Sequence, residues 1–352
     1  MTKAVALLSG GLDSTLAIKL ILEQGIGVHA LNFTSAFCTC NGGREKQDGG
    51  CRSEAKRVAE EFGITIKVLT KGLDYMDIVR NPRHGYGKGI NPCVDCRIYM
   101  FKLAKKYMED INASFIITGE VLGQRPMSQR RDTFMTIEKE SGLAGLILRP
   151  LCAKHLSPTI PEKTGLVDRE KLLDMAGRTR RPQMALAERL RIEDYPCPSG
   201  GCLLTDTIFS KKVRDLLIHK KEVTVKDLHA LKIGRHFRYN GVKLIVSRNE
   251  KENTALKNLV QGGDVFLEPL DFKGPSALIC GGSNNGEVEM AGSLILRYSS
   301  LKTQNTPNTQ NTPNTPNTND GARITAITDG EERLITVSNP ADDETIESIR
   351  VC

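Results

Sequence analysis

The chain has no tryptophan, few other aromatic residues and no long hydrophobic run. Its 352 residues include 5% aromatic residues, 26% charged residues and ten cysteines. A membrane-spanning helix needs about 20 apolar residues in succession, so we do not expect this chain to span a membrane. Glycines interrupt the first apolar run too early for a signal peptide. Ten cysteines are too few for a small disulfide scaffold, so we expect the reducing cytoplasm, where clustered cysteines indicate metal or thiol chemistry.

Positive charge is concentrated in one part of the chain. The formal net charge is +7, and residues 205–260 alone hold 13 basic and 6 acidic side chains. Residues 321–352 are acidic, with 3 basic and 7 acidic side chains. A basic segment of this density fits contact with a phosphate backbone, and it also fits a solvated helix face.

Short apolar runs alternate with helical periodicity in the first third. Strands are predicted at 4–8, 27–33, 65–69 and 114–118, and helices are predicted at 13–22, 53–62 and 96–108. This alternation predicts an α/β fold, with a Rossmann-like parallel sheet covered by helices on both faces. Ligands of such sheets bind at the carboxyl ends of the strands, and we expect the active site there.

The composition changes beyond residue 150. The segment 151–201 is rich in proline and predicts short helices at 169–175 and 183–190, and 206–233 predicts two further helices. A smaller α+β domain follows. Its predicted strands and helix lie at 242–246, 250–260, 265–267, 277–280, 322–327 and 333–337. The uncharged Asn-Thr-Pro repeat at 303–319 is expected to be a disordered spacer.

The strongest local motif, SGGLDST, follows the first predicted strand and begins with Ser9. Its glycines allow a tight turn, and a helix N-terminus beside several hydroxyls suits a pyrophosphate. Asp13 can hold Mg²⁺ there. No Gly-Lys-Ser/Thr follows, so the motif is not a Walker loop. An ordinary capped turn would also explain a bare pair of glycines.

SGGLDST resembles the PP-loop signature of the ATP pyrophosphatase superfamily, whose members adenylate a carbonyl oxygen with ATP and release pyrophosphate. The resemblance implies an adenine nucleotide alpha hydrolase-like fold and an ATP site at the strand ends. The residues implied for ATP are Ser9, Gly10, Gly11, Leu12, Asp13, Ser14, Thr15, Asn32 and Gly119. The superfamily also contains synthetases that install nitrogen, so the loop alone does not select the reaction.

A cysteine pair and one distant cysteine narrow the choice of reaction. Cys93 and Cys96 form a C-x-x-C pair at the start of a predicted helix, where the helix N-terminus favours thiolate. Cys202 follows a glycine pair in a turn. Cys96 and Cys202 are placed similarly to the two cysteines of PP-loop tRNA thiolases, although Arg97 stands where asparagine is usual.

Two sulfur chemistries are open. Cys202 can carry a persulfide that Cys96 resolves, or Cys93, Cys96 and Cys202 can bind three irons of a 4Fe–4S cluster, as in similar iron–sulfur-dependent thiolases. Cys93 favours the cluster, since a persulfide pair does not require it. A structural zinc site is the lesser alternative. The cysteines that would complete it are Cys38, Cys40 and Cys51.

Glu120 and several arginines follow the fourth predicted strand. Thr-Gly-Glu stands where PP-loop thiolases often have Thr-Gly-His, so Glu120 would bind metal or substrate instead of acting as an imidazole. An Arg-Pro-Leu at 149–151 also resembles these enzymes. The arginines expected to contact phosphate or RNA are Arg125, Arg130 and Arg131.

The C-terminal part resembles the NFACT RNA-binding domain. The resemblance rests on VSRNEKEN at 246–253, DVFL at 264–267 and GPS at 274–276. It implies that this part binds RNA through a basic face. The residues expected on that face are Arg235, Arg238, Lys243, Arg248 and Lys251.

Together these resemblances imply an ATP-dependent tRNA thiolase. We expect ATP with Mg²⁺ held by Asp13, a 4Fe–4S cluster, an adenylated uridine intermediate and a 2-thio product in preference to a 4-thio product. Asp13, Cys96 and Cys202 are the expected catalytic residues. The expected partners are tRNA and a sulfur donor, which would be sulfide, a cysteine desulfurase or a sulfur carrier protein.

The same resemblances imply a division of the chain into three regions. These are a PP-loop catalytic domain at 1–155, a connecting region with the second cysteine at 156–220, and an NFACT-like domain at 221–352 with an insertion at 303–320. Two other functions remain open. One is a PP-loop synthetase that forms an amide or nitrile on a small carboxylate, and the other is a non-catalytic RNA-binding quality-control factor.

Overall fold

The computed structural model describes residues 2–38, 51–193, 195, 201–282, 284–301 and 321–352. The chain divides into two compact units, Met1–Asp206 and Thr207–Cys352. Within the described ranges, no helix combines the length and the apolar character that crossing a membrane requires. The Asn-Thr-Pro repeat lies outside the described residues.

A five-stranded parallel sheet forms the centre of the first unit. Its strands are β1 (Lys3–Leu7), β2 (Gly27–Thr34), β3 (Thr65–Thr70), β4 (Phe115–Thr118) and β5 (Ile147–Leu148). They lie in the order β3–β2–β1–β4–β5, and β1 pairs in parallel with both β2 and β4. The strand order therefore reverses between β1 and β4, which is where ligands of open α/β sheets bind.

Helices cover both faces of this sheet. They are α1 (Leu12–Leu22), α2 (Cys51–Glu61), α3 (Tyr75–Arg80), α4 (Cys93–Asp110), α5 (Arg131–Ser141), α6 (Ile160–Lys163) and α7 (Arg181–Arg189). Ala4 and Ala6 of β1 belong to the apolar cluster that contains α1, whereas Val5 and Leu7 belong to the cluster that contains α4. Because alternate residues of a strand face opposite sides, this division confirms the predicted parallel sheet with two covered faces.

The predicted helix at 169–175 is wrong. Only Arg169–Lys171 form a short 3-10 turn, which the Asp168 side chain caps by accepting from the Glu170 N–H. The chain then extends, and the N–H groups of Leu173 and Met175 donate to the carbonyls of residues 150 and 151 at 2.9 and 2.8 Å. Pairing with a distant segment replaces the helical hydrogen bonds.

The second unit is a six-stranded antiparallel sheet with helices. Its strands are β6 (Arg235–Tyr239), β7 (Val242–Val246), β8 (Val265–Pro269), β9 (Ala277–Cys280), β10 (Ala322–Thr328) and β11 (Glu331–Val337), in the order β11–β10–β8–β9–β7–β6. Its helices are α8 (Thr207–His219), α9 (Val225–Ala230), α10 (Glu250–Lys257), α11 (Asn285–Arg297) and α12 (Asp343–Ile349).

Alternation along β7 again assigns the two faces of the sheet. Leu244 packs in the cluster that contains α11, whereas Ile245 packs in the cluster that contains residues of α9 and α10. The predicted smaller α+β domain is confirmed.

Candidate functional site

Hydroxyl groups fix the SGGLDST loop between β1 and α1. Ser14 Oγ donates to the Gly11 carbonyl at 2.8 Å, and Thr15 Oγ1 donates to the same carbonyl at 3.2 Å. Ser14 Oγ also accepts from the Ser9 N–H at 3.3 Å and lies 3.2 Å from Ser9 Oγ. These bonds hold the loop against the first turn of α1.

Two glycines at the site are required by close packing. Gly10 has φ +78°, and a Cβ there would lie 2.7 Å from Glu54 Cβ. A Cβ on Gly119, at the end of β4, would lie 2.4 Å from the backbone of Asp13. By contrast, a Cβ on Gly11 would meet only Ser9 Oγ, at 3.5 Å. The space above Gly11, at the N-terminus of α1, is therefore open.

A cavity of about 190 Å³ lies at the carboxyl ends of β1, β2 and β4. Five of the nine residues predicted to bind ATP line it: Ser9, Asp13, Ser14, Asn32 and Gly119. The other four belong to the same loop, but they are not among the lining residues: Gly10, Gly11, Leu12 and Thr15. The cavity thus occupies the edge of the sheet that the sequence predicted for the active site.

Four side-chain oxygen atoms of the cavity-lining residues are buried without a hydrogen-bond partner among the described residues, and two of them belong to the predicted ATP site. Asp13 accepts from Gln124 Nε2 at 3.0 Å through Oδ2, and its Oδ1 has no partner. Asn32 donates from Nδ2 to the Leu8 carbonyl at 2.8 Å, and its Oδ1 has no partner. Unpaired buried polar atoms are uncommon. A carboxylate and an amide oxygen suit a hard cation such as Mg²⁺, so these residues fit the predicted metal.

Glu120 lies in the wall of this cavity and forms part of a buried ion network. Its side chain is 1% exposed, with Oε2 3.2 Å from Arg149 Nε and Oε1 3.3 Å from Arg97 Nε. Arg149, also 1% exposed, bonds Glu138 Oε1 at 2.5 Å and stacks on the Phe134 ring at 3.8 Å. Two guanidinium groups therefore balance the Glu120 carboxylate. Its predicted role toward metal or substrate stays a prediction.

Cys96 lies beside Lys71, which was not among the residues predicted from the sequence. Burial opposes ionisation of the Cys96 thiol, but Lys71 Nζ donates to its sulfur at 3.0 Å, and Tyr75 and Arg97 act in the same direction. The net effect lowers the pKa of Cys96, so its thiolate is favoured. Cys96 Sγ also lies 3.9 Å from Met100 Sδ, and Met100 lines the cavity.

The other two predicted cysteines lie near the same point. Burial, and then the negative charge of Cys96, raise the pKa of Cys93, whose sulfur accepts from Asn91 Nδ2 at 3.0 Å. Burial raises the pKa of Cys202 to about 11. Burial also raises the pKa of Tyr75, and the charges of Cys96, Cys202 and Cys93 raise it further. All three cysteines are thus within electrostatic range of one hydroxyl.

Backbone pairing brings the Cys202 segment to this region. Cys202 forms an antiparallel bridge with Cys38, and the Leu203 N–H donates to the Phe37 carbonyl at 2.9 Å. The Ile90 N–H donates to the Leu204 carbonyl, also at 2.9 Å. The second cysteine therefore reaches the start of α4 from more than 100 residues further along the chain.

Neither predicted metal centre is assembled in the part of the chain that the structure describes. There, no group of three Cys, His, Asp or Glu side chains is arranged to hold a metal ion. Cys40 and the side chain of Cys51 lie outside the described residues. The iron–sulfur cluster and the zinc site stay predictions.

The sequence analysis missed Lys71 and Tyr75. Lys71 is the first residue after β3, at the same carboxyl edge as the SGGLDST loop. A polar residue at a strand end was the signal that could have identified it. Tyr75 begins α3 and belongs to no motif, so no sequence signal marked it.

The arginines after β4 lie in different surroundings. Arg125 lines the cavity. The exposed Arg130 lies 3.4 Å from Asp132, and Arg131 donates to the His155 carbonyl at 2.7 Å. Their predicted contacts with phosphate or RNA stay predictions.

The basic residues predicted to bind RNA in the second unit have protein partners. Arg235 donates to the Ser247 carbonyl at 3.1 Å, and Arg248 Nε bonds Glu252 at 3.0 Å. Lys251 is exposed on α10. The remaining two both bind one carboxylate, that of Asp215: Arg238 and Lys243.

Comparisons with known families match the same two regions. Residues 1–157 match the family described as "Thiamine biosynthesis protein (ThiI)", and residues 234–334 match "NFACT protein RNA binding domain". Both resemblances predicted from the motifs are confirmed.

Similar proteins with names include a tRNA-specific 2-thiouridylase MnmA from Clostridium acetobutylicum, 33% identical over 33% of this chain and 35% of that protein. A tRNA sulfurtransferase from Proteus mirabilis is 26% identical over 74% of this chain and 52% of that protein. The chain thus spans between about a third and about half of these relatives.

Among solved structures, a 4-thiouridine synthetase in complex with RNA and bound ATP aligns with a TM-score of 0.34 and 21% identity. That alignment covers 66% of this chain and 52% of that one. The chain therefore contains two matched regions. The first is similar to ThiI and contains the SGGLDST loop, and the second is similar to the RNA-binding domain of NFACT proteins.

Proposed function

We propose that this protein is an ATP-dependent tRNA thiolase, which replaces a carbonyl oxygen of uridine with sulfur. The observation that carries the proposal is the adjacency of two features. Met100 lines the cavity beside the SGGLDST loop, and its sulfur contacts Cys96, whose thiolate Lys71 stabilises. The names of the relatives and the match to an RNA-binding domain support tRNA as the substrate.

ATP would bind with its phosphates over the open N-terminus of α1. The space above Gly11 supports this placement, because unpaired N–H groups and the helix dipole favour an anion there. Asp13 and Asn32 each offer Mg²⁺ an oxygen that has no partner among the residues that the structure describes. Arg97 and Arg125 line the same cavity and supply positive charge for the phosphates.

The first step activates the base. The uridine carbonyl oxygen attacks the α-phosphorus of ATP, the bond to the bridging oxygen of the β-phosphate breaks, and pyrophosphate leaves. The oxygen is then part of an adenylate, so it can leave later as AMP, whereas oxide is a very poor leaving group. Arg97 and Arg125 would stabilise the negative charge that develops on the phosphates during this transfer.

The second step delivers sulfur. The Cys202 thiolate first attacks the outer sulfur of a donor persulfide, which forms a Cys202 persulfide and releases the donor thiolate. The terminal sulfur then attacks the activated carbon, and AMP leaves. The Cys96 thiolate then attacks Cys202 Sγ, which forms a Cys96–Cys202 disulfide and releases thiouridine. A thiol reductant restores both cysteines. The lowered pKa of Cys96, where Lys71, Tyr75 and Arg97 together outweigh burial, supports its role as the attacking thiolate.

An iron–sulfur cluster on Cys93, Cys96 and Cys202 is the alternative way to hold sulfur. The influence of all three on Tyr75 supports it, but the described residues do not form an assembled metal group, so we assign no step to a cluster. Anaerobic purification with iron and sulfide analysis tests it. A cluster predicts that alanine at any of the three cysteines lowers the iron content, whereas Cys352→Ala does not.

We also propose the division of labour that the sequence predicted. Residues 1–155 would bind ATP, 156–220 would supply Cys202, and 221–352 would hold tRNA. The relatives include a tRNA-specific 2-thiouridylase. We therefore prefer 2-thiouridine as the product.

Incubation of the full chain with a tRNA transcript, Mg-ATP and, as the persulfide donor, a cysteine desulfurase with cysteine tests the proposed function. We measure AMP and thiouridine, and nucleoside mass spectrometry assigns the ring position. Asp13→Ala should abolish tRNA-dependent AMP formation. Cys96→Ala should retain AMP formation and lose thiouridine, while Cys352→Ala retains both. AMP formation that does not depend on tRNA, or that accompanies amide formation on a small carboxylate, would refute the proposal.

A further inference from the structure

A second cavity is lined by residues of the second unit. Its volume is about 460 Å³, and its walls come from α8, α9, β6 and β7 and from the turns around residues 262 and 281. This volume falls in the range of about 300–1,000 Å³ that small-molecule sites occupy. Leu216, Leu231, Val242 and Ile245 give it apolar walls.

The wall beside Asp215 has more positive than negative charge. Arg238 binds this carboxylate through Nε and Nη2 at 3.0 and 2.8 Å, and Lys243 binds it at 2.5 Å. The three side chains are between 9% and 19% exposed. Two cations share one anion in a poorly hydrated place, so the wall attracts a further anion.

Neighbouring groups respond to this excess charge. Burial lowers the pKa of Lys212 to about 8; the charges of Arg248 and Lys243 act in the same direction, and the charge at Cys352 opposes them. Burial, followed by the charge of Lys243 and Lys212, lowers the pKa of His236 well below its usual value. Two further ion pairs lie in the wall, Lys220–Asp227 and Lys226–Asp264, and His219 Nδ1 lies 3.4 Å from Asp215 Oδ1.

His236 offers an unused hydrogen-bond acceptor at this cavity. It is 1% exposed, and Nε2 lies 3.2 and 2.9 Å from the carbonyls of Ala230 and Ile233. Carbonyls only accept, so Nε2 holds the proton and Nδ1 is an acceptor. Nδ1 has no partner within the described part of the chain. A ligand with an N–H or O–H group would satisfy it.

We propose that this cavity binds a nucleoside monophosphate. Its phosphate would lie against Arg238 and Lys243, its base and ribose against the apolar walls, and one of its donors against His236 Nδ1. The match of residues 234–334 to an RNA-binding domain favours a nucleotide over other anions of this size. The nucleotide is either free or one unstacked residue of an RNA. The proposal concerns the second unit and does not require the proposed thiolation.

Calorimetric titration of the full chain with 5′-UMP tests the site, with uridine and inorganic phosphate as partial probes. Lys243→Met should weaken UMP binding by about tenfold or more, since a charged hydrogen bond is lost. Arg238 still pairs with Asp215 in this variant, and Lys243→Arg should restore binding. The matched control is Lys257→Met, because Lys257 lies on α10 and is 57% exposed. It should leave affinity unchanged.

Asp215→Asn supplies a change of opposite sign, because it removes the anion that competes with the phosphate. It should tighten UMP binding. The cluster has a purely structural role if UMP binding does not depend on Lys243, or if Asp215→Asn weakens that binding. Either result overturns the proposal. A short uridine oligonucleotide that UMP displaces assigns the site to RNA. UMP binding without oligonucleotide binding assigns it to a free nucleotide.

Discussion

Replacing Lys71 with methionine should raise the pKa of Cys96 and suppress its thiolate. Lys71 Nζ donates to Cys96 Sγ at 3.0 Å, and burial of the thiol opposes ionisation. A hydrogen bond to a charged group contributes about 1.5–3 kcal/mol. At about 1.4 kcal/mol per factor of ten, the ratio of thiolate to thiol should fall by about 10- to 100-fold.

The assay is the rate of Cys96 alkylation by iodoacetamide as a function of pH, followed by mass spectrometry of the peptide. Only the thiolate reacts appreciably, so the rate at neutral pH should fall by a similar factor and the profile should move to higher pH. Thiouridine formation should fall with it, whereas AMP formation should persist, since Cys96 acts only in the sulfur step.

Lys67→Met is the matched control. Lys67 lies on β3, close to Lys71 in the chain, and its Nζ lies 4.6 Å from the Tyr107 ring centroid. Its removal should leave the profile unchanged. Equal alkylation profiles for Lys71→Met and the wild type would refute the assignment of Lys71 as the group that holds the thiolate.

Two further substitutions test the nucleotide edge of the sheet. Gly119→Ala should lower Tm and abolish ATP binding, because its Cβ would overlap the Asp13 backbone, whereas Gly11→Ala has room and should keep the Tm of the wild type in thermal unfolding. Arg149→Met should reduce the free energy of unfolding by about 3–5 kcal/mol in urea titration, because it leaves the buried Glu120 carboxylate without its main partner. Adding Glu120→Gln should recover part of that loss, and no recovery would contradict a charge origin.

Local patterns predicted the parallel sheet well, because β1 alternates between two buried faces and the glycine loop follows it directly. The prediction of a helix at 169–175 was wrong for a reason that no local pattern contains. Its N–H groups donate to residues 150 and 151, about 23 positions earlier in the chain, and a helical window does not detect such partners.

The site shows the same limit. The SGGLDST motif and the C-x-x-C pair located the cavity and two cysteines, yet Lys71 became visible only when β3 placed it next to Cys96. Counts of basic residues likewise identified Arg238 and Lys243 but not their shared partner. Asp215 lies 23 and 28 residues earlier in the chain, so the ion cluster depends on tertiary structure.

A Cβ atom at Gly119 would overlap the backbone of Asp13, so the end of β4 and the SGGLDST loop are in close contact. Glu120, the next residue, contacts the Arg149 guanidinium, which in turn contacts Glu138 on α5. This chain of contacts connects the cavity to a helix that itself contributes no residue to the cavity wall.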